Sequence, residues 1–127
     1  MILKVVCAVI NFNDKILVVQ RSEKMSLPLK WEFPGGKIER GETYEECIIR
    51  EIKEELNIDI TIEKKLTPTF FDYPTVSIEL IPFLVNYITG KLELKEHKNY
   101  KLLNINELIS LDWAEADLPI VKELQQL

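Results

Sequence analysis

One stretch of the chain, TYEECIIREIKEELN at residues 43–57, predicts an amphipathic α-helix and limits the fold more than any other feature. Thr43 and Glu46 match the Ser/Thr-x-x-Glu capping box that begins many helices. The apolar positions, which share a sector of about 100° at helical pitch, are Ile48, Ile49, Ile52 and Leu56. Asn57 is suited to end the helix in a left-handed cap. We therefore expect this apolar face to lie on a hydrophobic core.

The other side of the predicted helix carries a stripe of carboxylates. Glu51, Glu54 and Glu55 fall within about 100° of one another, and like charges at this spacing destabilise a helix by about 0.2–0.5 kcal/mol per pair. Such a stripe is compatible with a solvated surface, and it also suits a hard cation such as Mg²⁺ or Mn²⁺. Gly35 and Gly36, just before the helix, would let the backbone approach a ligand closely. The residues by themselves leave both interpretations open.

The remainder of the chain alternates strand-like runs with turns and short helical segments. The strand-like runs are ILKVVCAVI, KILVVQR, IDITIEKKL, PTFFDYP, VSIELIPFLVNYI and NYKLLNI. Residues 11–14 predict a hairpin between the first two runs. The helical segments are NINELISL and DLPIVKELQQL, with Asn104 and Asp117 at their caps. This order of elements predicts an α/β sandwich.

Composition argues against several classes of protein. A chain of 127 residues predicts a single domain over 1–127, and a net charge of −5 disfavours a nucleic acid polymer as partner. The chain has no apolar run of membrane-spanning length and no signal-peptide pattern, so we expect a cytoplasmic protein without a membrane partner. Cys7 and Cys47 are expected to be free thiols, and His97, the only histidine, is expected on a loop surface. Both monomer and homodimer remain open.

The helix lies inside a longer pattern of fixed residues. Gly36 is followed after five residues by Glu42, and after seven more by Arg50 at the start of REIKEELNI. This pattern resembles the Nudix box, Gly-x5-Glu-x7-Arg-Glu-aliphatic-x-Glu-Glu-x-Gly-aliphatic. Asn57 is the one departure, since the family has glycine there, and asparagine is the next-best residue for a left-handed cap. The resemblance implies the Nudix fold, an α/β/α sandwich with a mixed β-sheet.

Nudix hydrolases cleave a nucleoside diphosphate linked to another moiety, and the resemblance implies the same chemistry here, with Mg²⁺ or Mn²⁺ as cofactor. It implies that Glu51, Glu54 and Glu55 bind the metal and that one of these glutamates also serves as the catalytic base. Arg50 is implied to support catalysis through an ion pair. Gly36 is implied to give its backbone carbonyl to the metal.

The segment WEFPGGKIERGET resembles the MutT-like branch of the family, which hydrolyses oxidised purine nucleoside triphosphates and has cytidine-nucleotide pyrophosphohydrolases as close relatives. By this resemblance Glu96 is a further metal ligand. The implied substrate-binding residues are Arg21, Phe33, Lys37, Tyr73 and Asp117. The two basic residues would contact phosphate, and an aromatic residue would stack on the base. Val76 stands near the position where the branch can carry an arginine, which argues against a guanine-specific site.

The resemblance implies a metal-dependent nucleoside triphosphate pyrophosphohydrolase that releases nucleoside monophosphate and pyrophosphate and removes oxidised purine nucleotides such as 8-oxo-dGTP. One alternative is a cytidine-type enzyme acting on CTP, dCTP or 5-methyl-dCTP. A nucleoside diphosphate sugar and a diadenosine polyphosphate are further candidate substrates for the same chemistry. A non-catalytic Nudix-fold nucleotide sensor is disfavoured, because such modules usually lose carboxylates of the box and all are present here.

Two interpretations of Asp117 follow from the sequence. It precedes Leu-Pro, where an aspartate serves well as a helix N-cap. By resemblance, it also stands where the MutT-like branch contacts the nucleobase. An ionised carboxylate only accepts hydrogen bonds, so it would favour bases that present N–H donors, such as guanine, its 8-oxo form or cytosine.

Overall fold

A mixed β-sheet of eight strands forms the centre of the computed structural model, which describes residues 2–127. The strands are β1 (Ile2–Phe12), β2 (Lys15–Gln20), β3 (Trp31–Glu32), β4 (Gly35–Lys37), β5 (Asp59–Lys65), β6 (Thr69–Tyr73), β7 (Val76–Thr89) and β8 (Asn99–Leu103). The helices are α1 (Tyr44–Leu56) and α2 (Leu118–Leu124), with 3₁₀ turns at Ile105–Ser110 and Glu115–Asp117. The predicted hairpin is confirmed, since Asn13 and Asp14 adopt positive φ angles of 52° and 70° between β1 and β2.

The strand order β3-β2-β1-β7-β5 places β1 and β7 at the centre of the sheet. These two strands pair in parallel, with Val5 opposite Leu80. The other strand pairings within residues 2–127 are antiparallel. Along its other edge β1 pairs with β2 through Ile10 and with β4 through Val6, which lies opposite Gly36. The glycine segment of the sequence pattern is therefore held beside the central strand. No helix within residues 2–127 is long and apolar enough to cross a membrane.

Helix α1 packs on one face of the sheet, and α2 with the 3₁₀ turns packs on the other, as the predicted α/β/α sandwich requires. The buried residues of α1 are Cys47, Ile48, Ile52 and Leu56. The prediction that Ile49 belongs to this face was wrong, because its side chain is 44% exposed. The helix is rotated about its axis so that Cys47 takes the place of Ile49 against the sheet. Glu51 and Glu55, within about 60° of Ile48 on the helical wheel, consequently lie at the buried border of the helix rather than opposite it.

Both predicted ends of α1 are confirmed. The Thr43 hydroxyl accepts a hydrogen bond from the Glu46 backbone N–H at 3.0 Å, and the Glu46 carboxylate accepts one from the Thr43 N–H at 2.8 Å. Asn57 adopts the left-handed conformation, with φ 61° and ψ 29°, and its side-chain amide donates to the Lys91 carbonyl at 3.1 Å. Gly90 has φ 109°, and a Cβ atom there would lie 2.7 Å from the Asn57 carbonyl oxygen. The turn after β7 therefore requires glycine.

We expect Asn57→Gly to change the free energy of unfolding by about 1 kcal/mol or less. Glycine adopts the left-handed conformation without strain, which offsets the loss of the hydrogen bond to Lys91. Gly90→Ala is the contrasting control and should destabilise the protein by about 2 kcal/mol, because its positive φ and the nearby Asn57 carbonyl both disfavour a Cβ atom. Thermal and denaturant unfolding measure both values. A greater loss for Asn57→Gly than for Gly90→Ala would contradict this account of the cap.

Candidate active site

A cavity of about 480 Å³ opens beside the first half of β1, the end of α1 and the 3₁₀ turn Glu115–Asp117. The residues proposed from the sequence that line it are Arg21, Phe33, Gly36, Lys37, Glu55, Tyr73, Glu96 and Asp117. The remaining three, Arg50, Glu51 and Glu54, are joined in an ion-pair cluster on the neighbouring side of α1. Residues that are far apart in the chain are thus brought to one cavity and its border.

The Arg50 guanidinium is surrounded by carboxylates. It donates to Glu42 at 2.5 and 2.9 Å, to Glu51 at 2.8 Å and to Glu54 at 3.1 Å. It also donates to the Lys37 carbonyl at 3.3 Å, which joins α1 to β4. The hydrogen bond with Arg50 lowers the pKa of Glu42 to about 2, and the same bond raises the pKa of Arg50. Arg50 therefore balances part of the negative charge that the acidic helix concentrates.

Glu51 lies directly against the backbone of β4. Its side chain is only 15% exposed, and a Cβ atom at position 36 would lie 2.3 Å from its carboxylate carbon. A side chain at position 36 would therefore displace the Glu51 carboxylate from its present position, and glycine leaves room for it. The packing of Glu51 against β4 thus explains why a residue without a side chain suits position 36.

Glu55 is the most buried carboxylate of the acidic stripe. Its side chain is 12% exposed, and its Oε2 atom has no hydrogen-bond partner within residues 2–127. Burial, reinforced by the charges of Glu51, Glu32 and Glu96, raises its pKa to about 9. A buried carboxylate without a partner is unfavourable unless a proton or a cation compensates its charge. Glu55 therefore marks a position where a cation would be strongly stabilised.

Glu54 lies at the outer edge of the ion-pair cluster, with its side chain 59% exposed. Within residues 2–127 no three His, Cys, Asp or Glu side chains form a ready-made metal site, and Arg50 lies between the carboxylates. The donor set nevertheless fits a hard divalent cation, because Mg²⁺ and Mn²⁺ prefer carboxylate and carbonyl oxygens. The unpaired buried oxygen of Glu55 supports this fit. The residues that could hold such an ion are Gly36, Glu51, Glu54, Glu55 and Glu96.

His97 lies on the floor of the cavity, so the prediction of a surface position was wrong. Its side chain is 2% exposed, and its Nε2 atom lies 2.8 Å from Glu32 Oε2. Arg21 donates from Nη1 to Glu32 Oε1 at 2.7 Å. Sequence reasoning had missed both Glu32 and His97. The signal available for Glu32 was its position as a charged residue between two aromatic residues, Trp31 and Phe33, in a strand-like segment.

Asp117 is 5% exposed and forms no side-chain cap on α2, so the capping interpretation was wrong. Its Oδ2 atom instead accepts a hydrogen bond from the backbone N–H of Phe33 at 2.9 Å. Burial, with the nearby charge of Glu32, raises the pKa of Asp117 well above its usual range. Asp117 therefore lines the cavity as a buried acid held by the segment between β3 and β4.

The two aromatic residues proposed to contact a base differ in their surroundings. Phe33 is 3% exposed and packs against Trp113, with 4.8 Å between the ring centroids. Tyr73 is half-buried, and its hydroxyl accepts a hydrogen bond from the Ala116 N–H at 3.0 Å. Both residues line the cavity, and Tyr73 is the more exposed of the two. Lys37 is exposed at the rim of the cavity.

Nearly the whole chain matches known proteins. The model of the NUDIX domain matches residues 2–124. The CTP pyrophosphohydrolase of Escherichia coli K12 is 30% identical over 125 residues, which cover 98% of this chain and 93% of that protein. The 8-oxo-dGTP diphosphatase of the same strain is 31% identical over 117 residues, which cover 92% and 91%.

Solved structures agree with these relatives. The solution structure of a MutT protein of the Nudix hydrolase family from methicillin-resistant Staphylococcus aureus 252 is 43% identical to this chain and superimposes with a TM-score of 0.80. It covers 99% of this chain and 97% of its own. Because the family model, the relatives and the fold agree over almost the full length, this protein belongs to the NUDIX family and is a MutT-like Nudix hydrolase.

Proposed function

We propose that the protein hydrolyses nucleoside triphosphates to nucleoside monophosphate and pyrophosphate with the aid of Mg²⁺ or Mn²⁺. The observation that carries this proposal is the common cavity lined by the buried acid Glu55, by Glu96, by the basic residue Arg21 and by Asp117. Its volume of about 480 Å³ lies within the range of about 300–1,000 Å³ typical of small-molecule sites. A mononucleotide fits this size and this mixture of charges.

Positive charge is the main requirement of such a site, because a triphosphate repels both the carboxylates and an approaching water. The protein's own cations are partly engaged, since Arg50 is paired with the acidic stripe and Arg21 with Glu32. A divalent ion held by the carboxylates of the stripe and the Gly36 carbonyl would supply positive charge to the phosphates and lower the pKa of a water.

The proposed reaction is attack of water at the β-phosphorus. A bond forms between the water oxygen and the β-phosphorus. The bond between the β-phosphorus and the oxygen that bridges it to the α-phosphorus breaks, so the nucleoside monophosphate leaves with the bridging oxygen. Glu51 or Glu54 accepts the proton of the water as general base. Glu55 is assigned to cation binding, because its pKa of about 9 keeps it protonated at neutral pH until a cation compensates its charge.

The basic residues have separate roles in this proposal. Arg21 and Lys37 line the cavity and would stabilise negative charge on the phosphoryl oxygens in the transition state. Arg50 holds Glu51 through an ion pair of 2.8 Å and so fixes the direction of the carboxylate beside Gly36. Loss of Arg50 would therefore act through the positions of the carboxylates.

For the base, we propose an oxidised purine, with 8-oxo-dGTP as the leading substrate and Tyr73 or Phe33 stacking on the ring. Asp117 binds the Phe33 N–H through Oδ2, and N–H groups of a bound base would stabilise its ionised form against the effect of burial, so that Oδ1 accepts them. A cytidine-type triphosphate is the second candidate, because the similar CTP pyrophosphohydrolase matches almost the whole chain and Val76 stands near the position of the branch's arginine. A hydrolysis screen over canonical, oxidised and methylated triphosphates tests the choice through the released products.

Removal of a carboxylate proposed to bind the cation should abolish most of the activity. We expect Glu51→Gln and Glu55→Gln each to lower kcat by about 10²–10⁴-fold, and chelation of divalent ions to stop hydrolysis of 8-oxo-dGTP. The measurement is the rate of pyrophosphate release with Mg²⁺. Glu45→Gln, an exposed change of the same kind in the first turn of α1, is the matched control and should retain wild-type turnover. Near-normal turnover in both Glu51→Gln and Glu55→Gln would place the active site elsewhere.

Glu55→Gln should also stabilise the protein when divalent ions are absent. The pKa of Glu55 is raised from 4.5 to about 9 in the folded protein, so between these values the folded state binds more protons than the unfolded state. The free energy of unfolding therefore falls as the pH rises through this window. Glutamine cannot ionise, so the variant should be more stable than wild type by about 1 kcal/mol or more at pH 8 and equal to it near pH 4.

Denaturant unfolding in the presence of a chelator measures this difference. Glu54→Gln is the matched control, because it removes the same charge from a mostly exposed position of the same helix and should not produce the stabilisation at pH 8 that is expected of Glu55→Gln. An equal slope in Glu55→Gln and wild type would show that burial of Glu55 does not oppose its ionisation.

Asp117→Asn tests whether Asp117 contacts the base. Asparagine can still accept the Phe33 N–H, but it presents an amide N–H₂ where the carboxylate had a second acceptor. We expect the ratio of kcat/KM for amino-bearing triphosphates to that for dTTP to fall by about tenfold. Glu115→Gln, a neighbouring exposed charge, should leave the ratio unchanged. An unchanged ratio in Asp117→Asn would show that Asp117 only supports the segment at Phe33.

A further inference from the structure

His97 stands at one end of a row of hydrogen-bonded side chains along the cavity, in which Glu32 is the central member. Its Nε2 atom lies 2.8 Å from Glu32 Oε2, and the Nη1 group of Arg21 lies 2.7 Å from Glu32 Oε1. Since a carboxylate only accepts hydrogen bonds, the Nε2 of His97 is the donor in this pair. Both oxygens of Glu32 are thus held, one by the imidazole and one by the guanidinium.

His97 is itself fixed by backbone contacts on either side. The Lys98 N–H donates to the Gln20 carbonyl at 2.9 Å, and the Lys95 N–H donates to the Glu55 carbonyl at 3.1 Å. The segment that carries His97 is therefore attached both to the end of β2 and to the end of α1. With its side chain 2% exposed, the imidazole has little freedom to leave Glu32.

Arg21 depends on the same arrangement. Besides the contact with Glu32, its Nε group donates to the Ser26 carbonyl at 2.5 Å and its Nη2 group donates to the Ser26 hydroxyl at 2.9 Å. Its guanidinium is thus bound on one side by a loop residue and on the other by Glu32. If Glu32 turned away, one of the two groups that orient Arg21 in the cavity would be lost.

We propose that His97 is a positioning residue for the nucleotide, which holds Glu32 in place and through it sets the direction of Arg21. The inference rests on the proposed function as a nucleotide hydrolase. His97 does not hydrogen-bond to the carboxylates proposed to bind the cation, because its Nδ1 atom lies 4.0 Å from Glu55 Oε2, beyond hydrogen-bonding distance. Loss of the imidazole should consequently weaken nucleotide binding and leave cation binding by α1 intact.

Two substitutions separate the two sides of the imidazole. In His97→Gln the amide nitrogen lies as many bonds from Cβ as Nε2 does, so it can still donate to Glu32. In His97→Asn the amide matches the nearer Nδ1 and does not reach Glu32. The pair differs by one methylene group and retains a neutral polar side chain, so each serves as the control for the other.

The probe is α,β-methylene-dGTP, whose carbon bridge resists attack at the β-phosphorus, titrated calorimetrically into the full chain with Mn²⁺ present. We expect His97→Asn to raise the Kd of this probe about tenfold and His97→Gln to raise it less than about threefold. The affinity of the free enzyme for Mn²⁺, measured by electron paramagnetic resonance without nucleotide, should change less than about twofold in both variants.

A double-mutant cycle tests the route of the effect. If His97 acts through Glu32, the double variant His97→Asn/Glu32→Gln should bind the probe no more weakly than Glu32→Gln alone. Additive effects would show that His97 acts by another route and would overturn the proposal. If His97→Asn does not fold, Glu32→Gln carries the test, with the same tenfold loss of nucleotide affinity and unchanged Mn²⁺ affinity expected.

Each remaining outcome also decides the question. Unchanged probe affinity in His97→Asn, or equal losses in both His97 variants, overturns the positioning role through Glu32. A change in Mn²⁺ affinity without a change in probe affinity overturns the positioning role and shows that His97 acts on Glu55. Failure of the wild-type protein to bind the probe or to hydrolyse any triphosphate counts against the proposed function, and this result is distinct from failure of the His97 inference alone.

Discussion

The close contact between the Glu51 carboxylate and the Gly36 backbone is the constraint on which the rest of the site depends. In this contact α1 lies over β4 with no side chain between them, and a Cβ atom at position 36 would displace the Glu51 carboxylate. The apolar face of α1 fixes the distance through Ile48 and Ile52, which are completely buried. Arg50 fixes the same junction from outside, because it binds both Glu51 and the Lys37 carbonyl. One packed interface thus sets the position of the acidic stripe.

The charge that this interface concentrates is balanced in two different ways. On the outer side, Arg50 pairs with Glu42, Glu51 and Glu54 within reach of solvent. On the inner side, Glu55 has no cationic partner at hydrogen-bonding distance within residues 2–127, and burial raises its pKa to about 9. Arg50 therefore balances part of the negative charge on the surface side, whereas the Glu55 carboxylate on the cavity side has no cationic partner at hydrogen-bonding distance within residues 2–127. This asymmetry supports the proposal that a divalent cation, and with it a polyphosphate, binds on the inner side.

The cavity joins this acidic wall to a second group of polar residues through the segment that follows β7. The backbone N–H of Lys95 donates to the Glu55 carbonyl, and the backbone N–H of Lys98 donates to the Gln20 carbonyl. These two hydrogen bonds place His97 beside Glu32. The same fold that orients the carboxylates of α1 therefore also sets the position of the residues around Arg21. In the proposed hydrolase this connection would keep Arg21 and the carboxylates of α1 in a fixed relative position. Small misplacements of reacting groups lower the rate of a reaction strongly.

Features that depend on neighbours in the chain could be predicted from the sequence by itself: the Thr43–Glu46 capping box, the Asn57 cap, the hairpin at residues 11–14 and the family pattern with its carboxylates. The caps and the hairpin follow from hydrogen bonds or backbone preferences within a few residues, and the carboxylates were identified by the resemblance of residues 36–58 to the Nudix box. The exposure of Ile49, the burial of His97 and the bond from Asp117 to Phe33 were decided only by tertiary structure. Helical periodicity shows that a helix has an apolar side but leaves its rotation against the sheet open, and a segment without regular structure carries no periodic signal at all. Those positions are set by contacts between residues distant in the chain, which local patterns do not encode.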